Sequence, residues 1–249
     1  MPNKIEQEYL SVLDTDRFGF KVAKVNSFNE SPEILIKKLK ETGFKLIISK
    51  IDSSKLNLIN RLEDLGFRIK DNQVTYKYDL KKFDDMTLNH LNESFNIREY
   101  QKGDEHSIVK IAEEAFNDYG HYFANDRLNK TACLEVYKNW AIRSCQDVEV
   151  ADVIFVALKN NEIAGFLSFK KYCENNLAYA AGGLGAVSKK HRGQNVFKML
   201  TVKGLIWGLE NNFEWEEHNV LTTNYSVNST FSSLGFKIRK SFNTLHCWL

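Results

Sequence analysis

Proline is nearly missing from this sequence: two occur in 249 residues, beside 13 glycines. Proline-rich linkers and collagen-like repeats are thereby excluded, and regular elements joined by short turns should dominate. Cysteine is scarce as well. Cys133, Cys145, Cys173 and Cys247 nowhere form a Cys-x-x-Cys pair, so zinc ribbons and dithiol redox centres are excluded and no metal is expected. Unpaired thiols fit a reducing, cytoplasmic location. No run of about 18 apolar residues occurs, and residues 1–20 lack the apolar stretch of a signal peptide, so neither a membrane nor export is expected. Excess charge is absent too. Lys plus Arg number 34 against 32 Asp plus Glu, a net +2, which offers no field for nucleic acid or an anionic membrane.

What is present suits a packed core: 43% of residues are hydrophobic and 12% aromatic. The length falls between one average domain and two. In residues 1–80, FGFKVAKV reads as a strand with Phe18, Phe20 and Val22 on one face. Ser31-Pro32-Glu33 opens a helix to about Glu41, and Gly43 closes it. FKLIIS is a short strand, residues 54–65 a helix stopped by Gly66, and QVTYKYDL a strand with Val74, Tyr76 and Tyr78 on one side. The polar stretch 81–93 is the best linker. Beyond it come the strand SFNIREY, helices over 104–117 and 131–145, and a hairpin turning at Asn160-Asn161. A strand over 177–187, a helix over 195–210, then strand, helix, strand and strand complete the chain. One echo runs through it. LEDLGFRIKDNQVTYKYDL ends at Leu80 and FSSLGFKIRKSFNTLHCWL at Leu249, with Gly66 and Gly235 separated by an offset of 169. A structural duplication explains it better than a shared helix-stop device.

Chemistry concentrates in GGLGAVSKKHRGQNVFKML. Gly182, Gly183 and Gly185 interrupt a strand, marking a bulge or the close approach of a ligand. Lys189, Lys190, His191 and Arg192 follow, then a helix starts after Gly193-Gln194-Asn195. Helix N-terminal amides with basic neighbours make a phosphate cradle. No GxxxxGK[ST] or GxGxxG occurs, so Walker and Rossmann loops are excluded.

The order strand, LGAVSKKHRGQNVF, helix, then LTTNYSVNSTFSSLGFKI resembles the GNAT acyl-CoA-dependent N-acetyltransferases. NIREYQKGDEHSIVKIAEEAF resembles their opening strand and first helix, so the resemblance covers about 94–249. It implies an α+β fold, with a mixed, mostly antiparallel sheet flanked by helices, and acetyl-CoA as co-substrate. The diphosphate would be held by Arg192, Gly193, Gln194, Asn195, Val196 and Phe197. Leu184, Gly185, Ala186 and Val187 would pair with the pantetheine arm, and Asn224 would lie near the thioester. Asn195 and Phe197 depart from the small residues of the motif, and Asn tolerates a left-handed backbone. The tyrosine that commonly serves these enzymes as general acid is replaced by Phe231. Tyr225 is the nearest alternative and His121 a candidate base.

The first lobe, with Asp16-Arg17-Phe18-Gly19, and the inter-helix stretch DYGHYFANDRLNKTACLEVYKNWAIRSC resemble the acetyltransferases of dTDP-4-amino-4,6-dideoxygalactose. That implies an incomplete GNAT-like lobe, 1–93, before a catalytic domain, 94–249. The first lobe would bind no coenzyme A of its own. The acceptor would be a nucleotide-linked amino sugar of surface-polysaccharide synthesis, met by Tyr119, His121, Tyr122, Phe123 and Arg127. Another small amine, a peptide N-terminus, and a non-catalytic acetyl-CoA-binding module stay open alternatives, as does a homodimer.

Overall fold

The computed structural model describes residues 4–90 and 94–249. In chain order its elements begin with α1 (Lys4–Tyr9), α2 (Val12–Phe18), β1 (Val22–Lys24), α3 (Pro32–Glu41), β2 (Leu46–Asp52), α4 (Leu56–Asp64) and β3 (Arg68–Asp79). Then come α5 (Asp85–Leu88), β4 (Asn96–Glu99), α6 (Glu105–Ala115), α7 (Gly120–Phe123), α8 (Lys130–Gln146), β5 (Val153–Lys159), β6 (Glu162–Glu174) and β7 (Leu177–Val187). The last are α9 (Val196–Glu210), β8 (Trp215–Leu221), α10 (Tyr225–Ser233) and β9 (Lys237–Trp248).

Two units form, neither contiguous in sequence. Unit 1 takes Met1–Val74, Asp118–Cys133 and Lys240–Leu249; unit 2 takes Thr75–Asn117 and Leu134–Arg239. In unit 1, β1 runs parallel to β2, and β2 runs antiparallel to β9 from Leu46↔Trp248 to Asp52↔Phe242. Strand alternation sends Ala23, Ile47 and Cys247 to one face, where they bury with Leu35 and Leu39 of α3 and Ile59 and Leu62 of α4. Lys24 and His246 therefore share the opposite face. In unit 2, β4, β5, β6 and β7 are successive antiparallel neighbours, and β7 runs parallel to β8. The end of β3 flanks β8, where the Thr75 hydroxyl donates to Asn219 Oδ1 at 2.6 Å.

The echo is structural. Shifted by 169, β2, α4 and β3 coincide with β8, α10 and β9 at both ends of every element. The local bonding repeats as well. The Phe67 amide donates to Leu62 O at 3.0 Å and the Phe236 amide to Phe231 O at 3.0 Å, while Gly66 and Gly235 sit at φ 93 and 89. Only a left-handed residue lets the amide beyond the helix turn back to that carbonyl, so glycine is needed there. The preceding helices, α3 and α9, end at equivalent residues, Glu41 and Glu210, but α9 has 15 residues against 10. The extra turn lies at its N-terminus.

The two helix starts differ in their capping as well. Pro32 has no amide proton, Ser31 Oγ accepts from the Ile34 amide at 3.4 Å, and Glu33 is bonded in two places to Arg61. The start of α3 is thus capped and acidic. The start of α9 carries neither feature.

Several sequence expectations need correction. FGFKVAKV is not one strand: Phe18 ends α2, Gly19 caps it at φ 75, and β1 has three residues. The signal overlooked is Ser11-x-x-Asp14, where Ser11 Oγ donates to Asp14 at 2.8 Å, followed by a glycine stop. The end of the chain is one 12-residue strand, β9, and not two. Of the expected linker 81–93, residues 85–88 form α5, while 91–93 lie outside the described residues. The hairpin at Asn160-Asn161 forms as expected, both residues having φ near 60, at 51 and 63. Among the described residues no helix is long and apolar enough to cross a membrane, and no cluster of three His, Cys, Asp or Glu could hold a metal ion.

Candidate functional site

The glycines of β7 make a bulge. Its register with β6 steps from Phe169↔Gly182 to Leu167↔Gly185, so Gly183 and Leu184 stand opposite Ser168 alone. The Ser168 hydroxyl donates to Leu184 O at 3.1 Å and pins the extra residue. A Cβ on Gly183 would lie 2.6 Å from that hydroxyl, so no larger residue fits there unmoved.

On its other side β7 pairs with β8 only from Tyr179↔Trp215 to Gly182↔His218. Both strands continue, to Val187 and Leu221, but no longer pair with each other. A fork opens with backbone groups along both arms, and an extended ligand can add to such an edge as a strand does.

One arm of the fork leads to α9. Gly193 and Asn195 adopt left-handed conformations, at φ 76 and 60, as the Asn reading anticipated. Asn195 precedes the helix with no side-chain cap bond, so the first-turn amides of Val196, Phe197 and Lys198 point out without intrahelical acceptors. Arg192 is exposed, its Nε donating to Val187 O at 3.3 Å. Gln194 is held between Lys159 Nζ, which donates to its Oε1 at 3.0 Å, and Lys190 O. Lys190 itself is paired with Glu162 at 2.6 Å, so part of the expected basic cluster is already neutralised.

No protein-family profile matches this chain, and no curated protein matches it by sequence. Solved structures do. A tandem GNAT protein from the clavulanic acid biosynthesis pathway superposes with a TM-score of 0.64 at 16% identity, over 91% of this chain and 75% of that one. A GCN5-related N-acetyltransferase from Kribbella flavida gives 0.60 at 9% identity, over 91% and 81%. A fungal multi-domain GH3 β-N-acetylglucosaminidase, with a region described as a GCN5-related glucosamine N-acetyltransferase, gives 0.62 at 12% identity, over 91% and 30%. The chain has the GNAT fold.

On that GNAT scaffold the remaining residues fall as follows. Asn224 precedes α10 and its Oδ1 accepts from the Val227 amide at 3.4 Å. Tyr225 begins α10 and is 78% exposed, whereas Phe231 is 1% exposed. Phe231 packs among Tyr76, Phe197, His218 and Phe236, at centroid distances of 4.6–5.8 Å. Sequence reasoning missed the most unusual pair here, Glu216 and His218 on β8. Their spacing in WEEHN places both on one strand face, a signal that was available. His218 Nε2 lies 2.7 Å from Glu216 Oε1; the residues are 3% and 0% exposed. Glu216 Oε2 has no hydrogen-bond partner among the described residues. Burial pushes the Glu216 carboxyl pKa up, against the opposing pull of His218.

The expected acceptor residues all lie in unit 1. Tyr119 precedes α7, and Tyr122 and Phe123 are buried in it. The Tyr122 hydroxyl donates to both oxygens of Asp14, at 3.0 and 3.1 Å, and Lys24 pairs with the same carboxylate at 2.8 Å. Burial raises the Asp14 pKa, but Lys24, Ser11 and Tyr122 outweigh it and hold it below the usual value. His121 Nδ1 lies 2.8 Å from His246 Nε2, and Asn125 Nδ2 lies 2.8 Å from His246 Nδ1. Asn125 Oδ1 accepts from Trp248 Nε1 and from the Arg127 amide, which orients the Asn125 side chain. His246 Nδ1 is then an acceptor, its Nε2 donates to His121 Nδ1, and His121 carries its proton on Nε2. Burial depresses both histidines, His121 to about 4 and His246 to about 2. The Arg127 guanidinium lies 4.1 Å above the Trp248 ring.

Proposed function

We propose that this protein is an acyl-CoA-dependent N-acyltransferase that transfers acetyl to a primary amine. The observation that carries the reading is the fork between β7 and β8, opening after Gly182↔His218 and leading to the uncapped N-terminus of α9. A thioester with an extended, amide-bearing arm and a diphosphate fits this sequence of features. Leu184, Gly185, Ala186 and Val187 offer an unpaired edge on that side. The region Gly193–Phe197 offers amides and Arg192 a full charge. Asn224 retains a side-chain nitrogen for the thioester end, because its oxygen is used in capping. Acetyl-CoA would supply the activated acyl group.

For the acceptor we propose a nucleotide-linked 4-amino-4,6-dideoxy sugar. The support is the sequence resemblance of the first lobe and the inter-helix segment; the glucosamine description of one neighbour is in keeping with an amino sugar. Arg127, exposed at the end of its stack on Trp248, is a group for a diphosphate, and Tyr119 and His121 complete the proposed acceptor side, with Tyr122 and Phe123 as packing. The division into 1–93 and 94–249 is proposed as the history of the chain, a partial duplication, and it differs from the compact units.

Calorimetry with acetyl-CoA tests the cradle. Arg192→Glu should raise Kd about tenfold, since it exchanges a favourable charge for a repulsive one beside the diphosphate. An unchanged Kd would remove Arg192 and its loop from the site. Coenzyme A release with a panel of amines tests the acceptor. A kcat/KM for the dTDP-amino sugar no better than for simple amines sinks that assignment, and no turnover with any amine favours a binding module.

A further inference from the structure

We propose that His218, backed by Glu216, is the catalytic proton carrier of the transfer, with Nδ1 as the exchanging atom at the head of the fork. The inference rests on the acyltransferase reading and names the group that this reading lacks.

Placement is the first support. His218 and Gly182 form the last paired position before β7 and β8 part, next to the bulge at Gly183 and Leu184. The imidazole lies across β7 where a side chain of residue 182 would be: a Cβ built on Gly182 falls 1.9 Å from His218 Nδ1. Glycine there lets Nδ1 lie against the β7 backbone at the position where the fork begins. The ring is held in that pose by Phe231, stacked at 4.6 Å, and by Phe169 and Phe236. Phe231 has no hydroxyl, so it positions the imidazole and exchanges no proton itself.

The chemistry of the pair is the second support. Glu216 bonds Nε2 and leaves Nδ1 for exchange. Gly204 makes room for the carboxyl, since a Cβ there would lie 2.8 Å from Oε2. As carboxylate and neutral imidazole the buried pair carries one negative charge; taking up one proton neutralises it, which burial favours. Other charged groups do not compete. Glu217, on the opposite strand face, is bound to Arg239 at 2.7 Å. Tyr78 on β3 is the other titratable side chain that Glu216 influences. The rings packed on the imidazole from β6, α10 and the turn before β9 are phenylalanines.

The step balances. The amine nitrogen attacks the thioester carbon and forms the C–N bond; its surplus proton passes to Nδ1. The C–S bond breaks, sulfur leaves with the electron pair, and Nδ1 returns the proton to it. The pair ends in its starting state, with no oxidant or further reactant.

His218→Gln should lower kcat about 100-fold with acetyl-CoA Kd within about threefold. Glu216→Gln should lower kcat without raising KM for acetyl-CoA, because it weakens the bond that holds Nε2 and orients Nδ1. Full kcat in either folded variant overturns the proposal. Should both variants fail to fold, ¹⁵N spectra of wild-type histidines decide. The His218 Nδ1 resonance should shift on acetyl-CoA addition. A resonance that ignores bound acetyl-CoA overturns the proposal. Wild type that binds no acetyl-CoA retires the acyltransferase reading and with it the catalytic step.

Discussion

Gly182→Ala should destabilise the protein by about 3 kcal/mol, although alanine is ordinarily the better strand residue. The added Cβ would fall 1.9 Å from His218 Nδ1 and 2.1 Å from Cε1. No rotation of a methyl relieves that overlap. The imidazole must leave Glu216 or β7 must move, and forced overpacking of this kind costs about 1–3 kcal/mol, sometimes more. Urea unfolding of Gly182→Ala, His218→Ala and the double variant measures it. In the double variant the clash is gone, so the two losses should fall short of additivity by 2 kcal/mol or more (about the overpacking cost itself). A single variant within about 0.5 kcal/mol of wild type, the usual range for harmless substitutions, would mean the two strands are not packed as described.

Acid should unfold the protein early. His121 Nδ1 and His246 Nε2 lie 2.8 Å apart, and burial, the largest cause for each, holds the two imidazoles at about 4 and about 2 against an ordinary 6.5. Their folded values lie below the unfolded one, so between pH 6.5 and about 4 the unfolded chain binds more protons. The stabilisation is complete above 6.5 and drains as pH falls. From pH 7 to 5 each neutral histidine accounts for a loss of about 2 kcal/mol, so the pair removes about 4. That is a large part of a typical unfolding free energy of about 5–15 kcal/mol. His246→Gln should halve the loss, because one of the two groups no longer titrates. Equal unfolding free energies of wild type at pH 7 and pH 5 would contradict the buried, neutral pair.

The elements of the proposed cradle were legible because they are local. A broken strand, a basic turn and a helix start lie within consecutive residues, and Asn195 adopts the left-handed conformation its side chain tolerates. Ser31-Pro32-Glu33 was legible for the same reason. Helix α2 was misread because alternation in FGFKVAKV suggested a strand, while the capping signals that mattered began earlier, at Ser11. His121 was singled out as a loop residue beside aromatics. Its partners, Asp71 and His246, come from two distant stretches of chain and no spacing joins them to it.

By itself the sequence determined most of the elements, the repeat at an offset of 169 and the helix start that follows the basic turn, since caps, turns and periodicity act over a few residues. Only the tertiary structure decided which strands pair. The repeat sets β2 and β8 in equivalent places, yet β2 takes β9 as its partner and β8 takes β3, each from the other copy of the repeat. It also decided that β7 and β8 part after Gly182, and that Glu216 and His218 stand buried at that point. Pairing and burial depend on surfaces supplied by residues far apart in the chain, and local pattern carries no record of them.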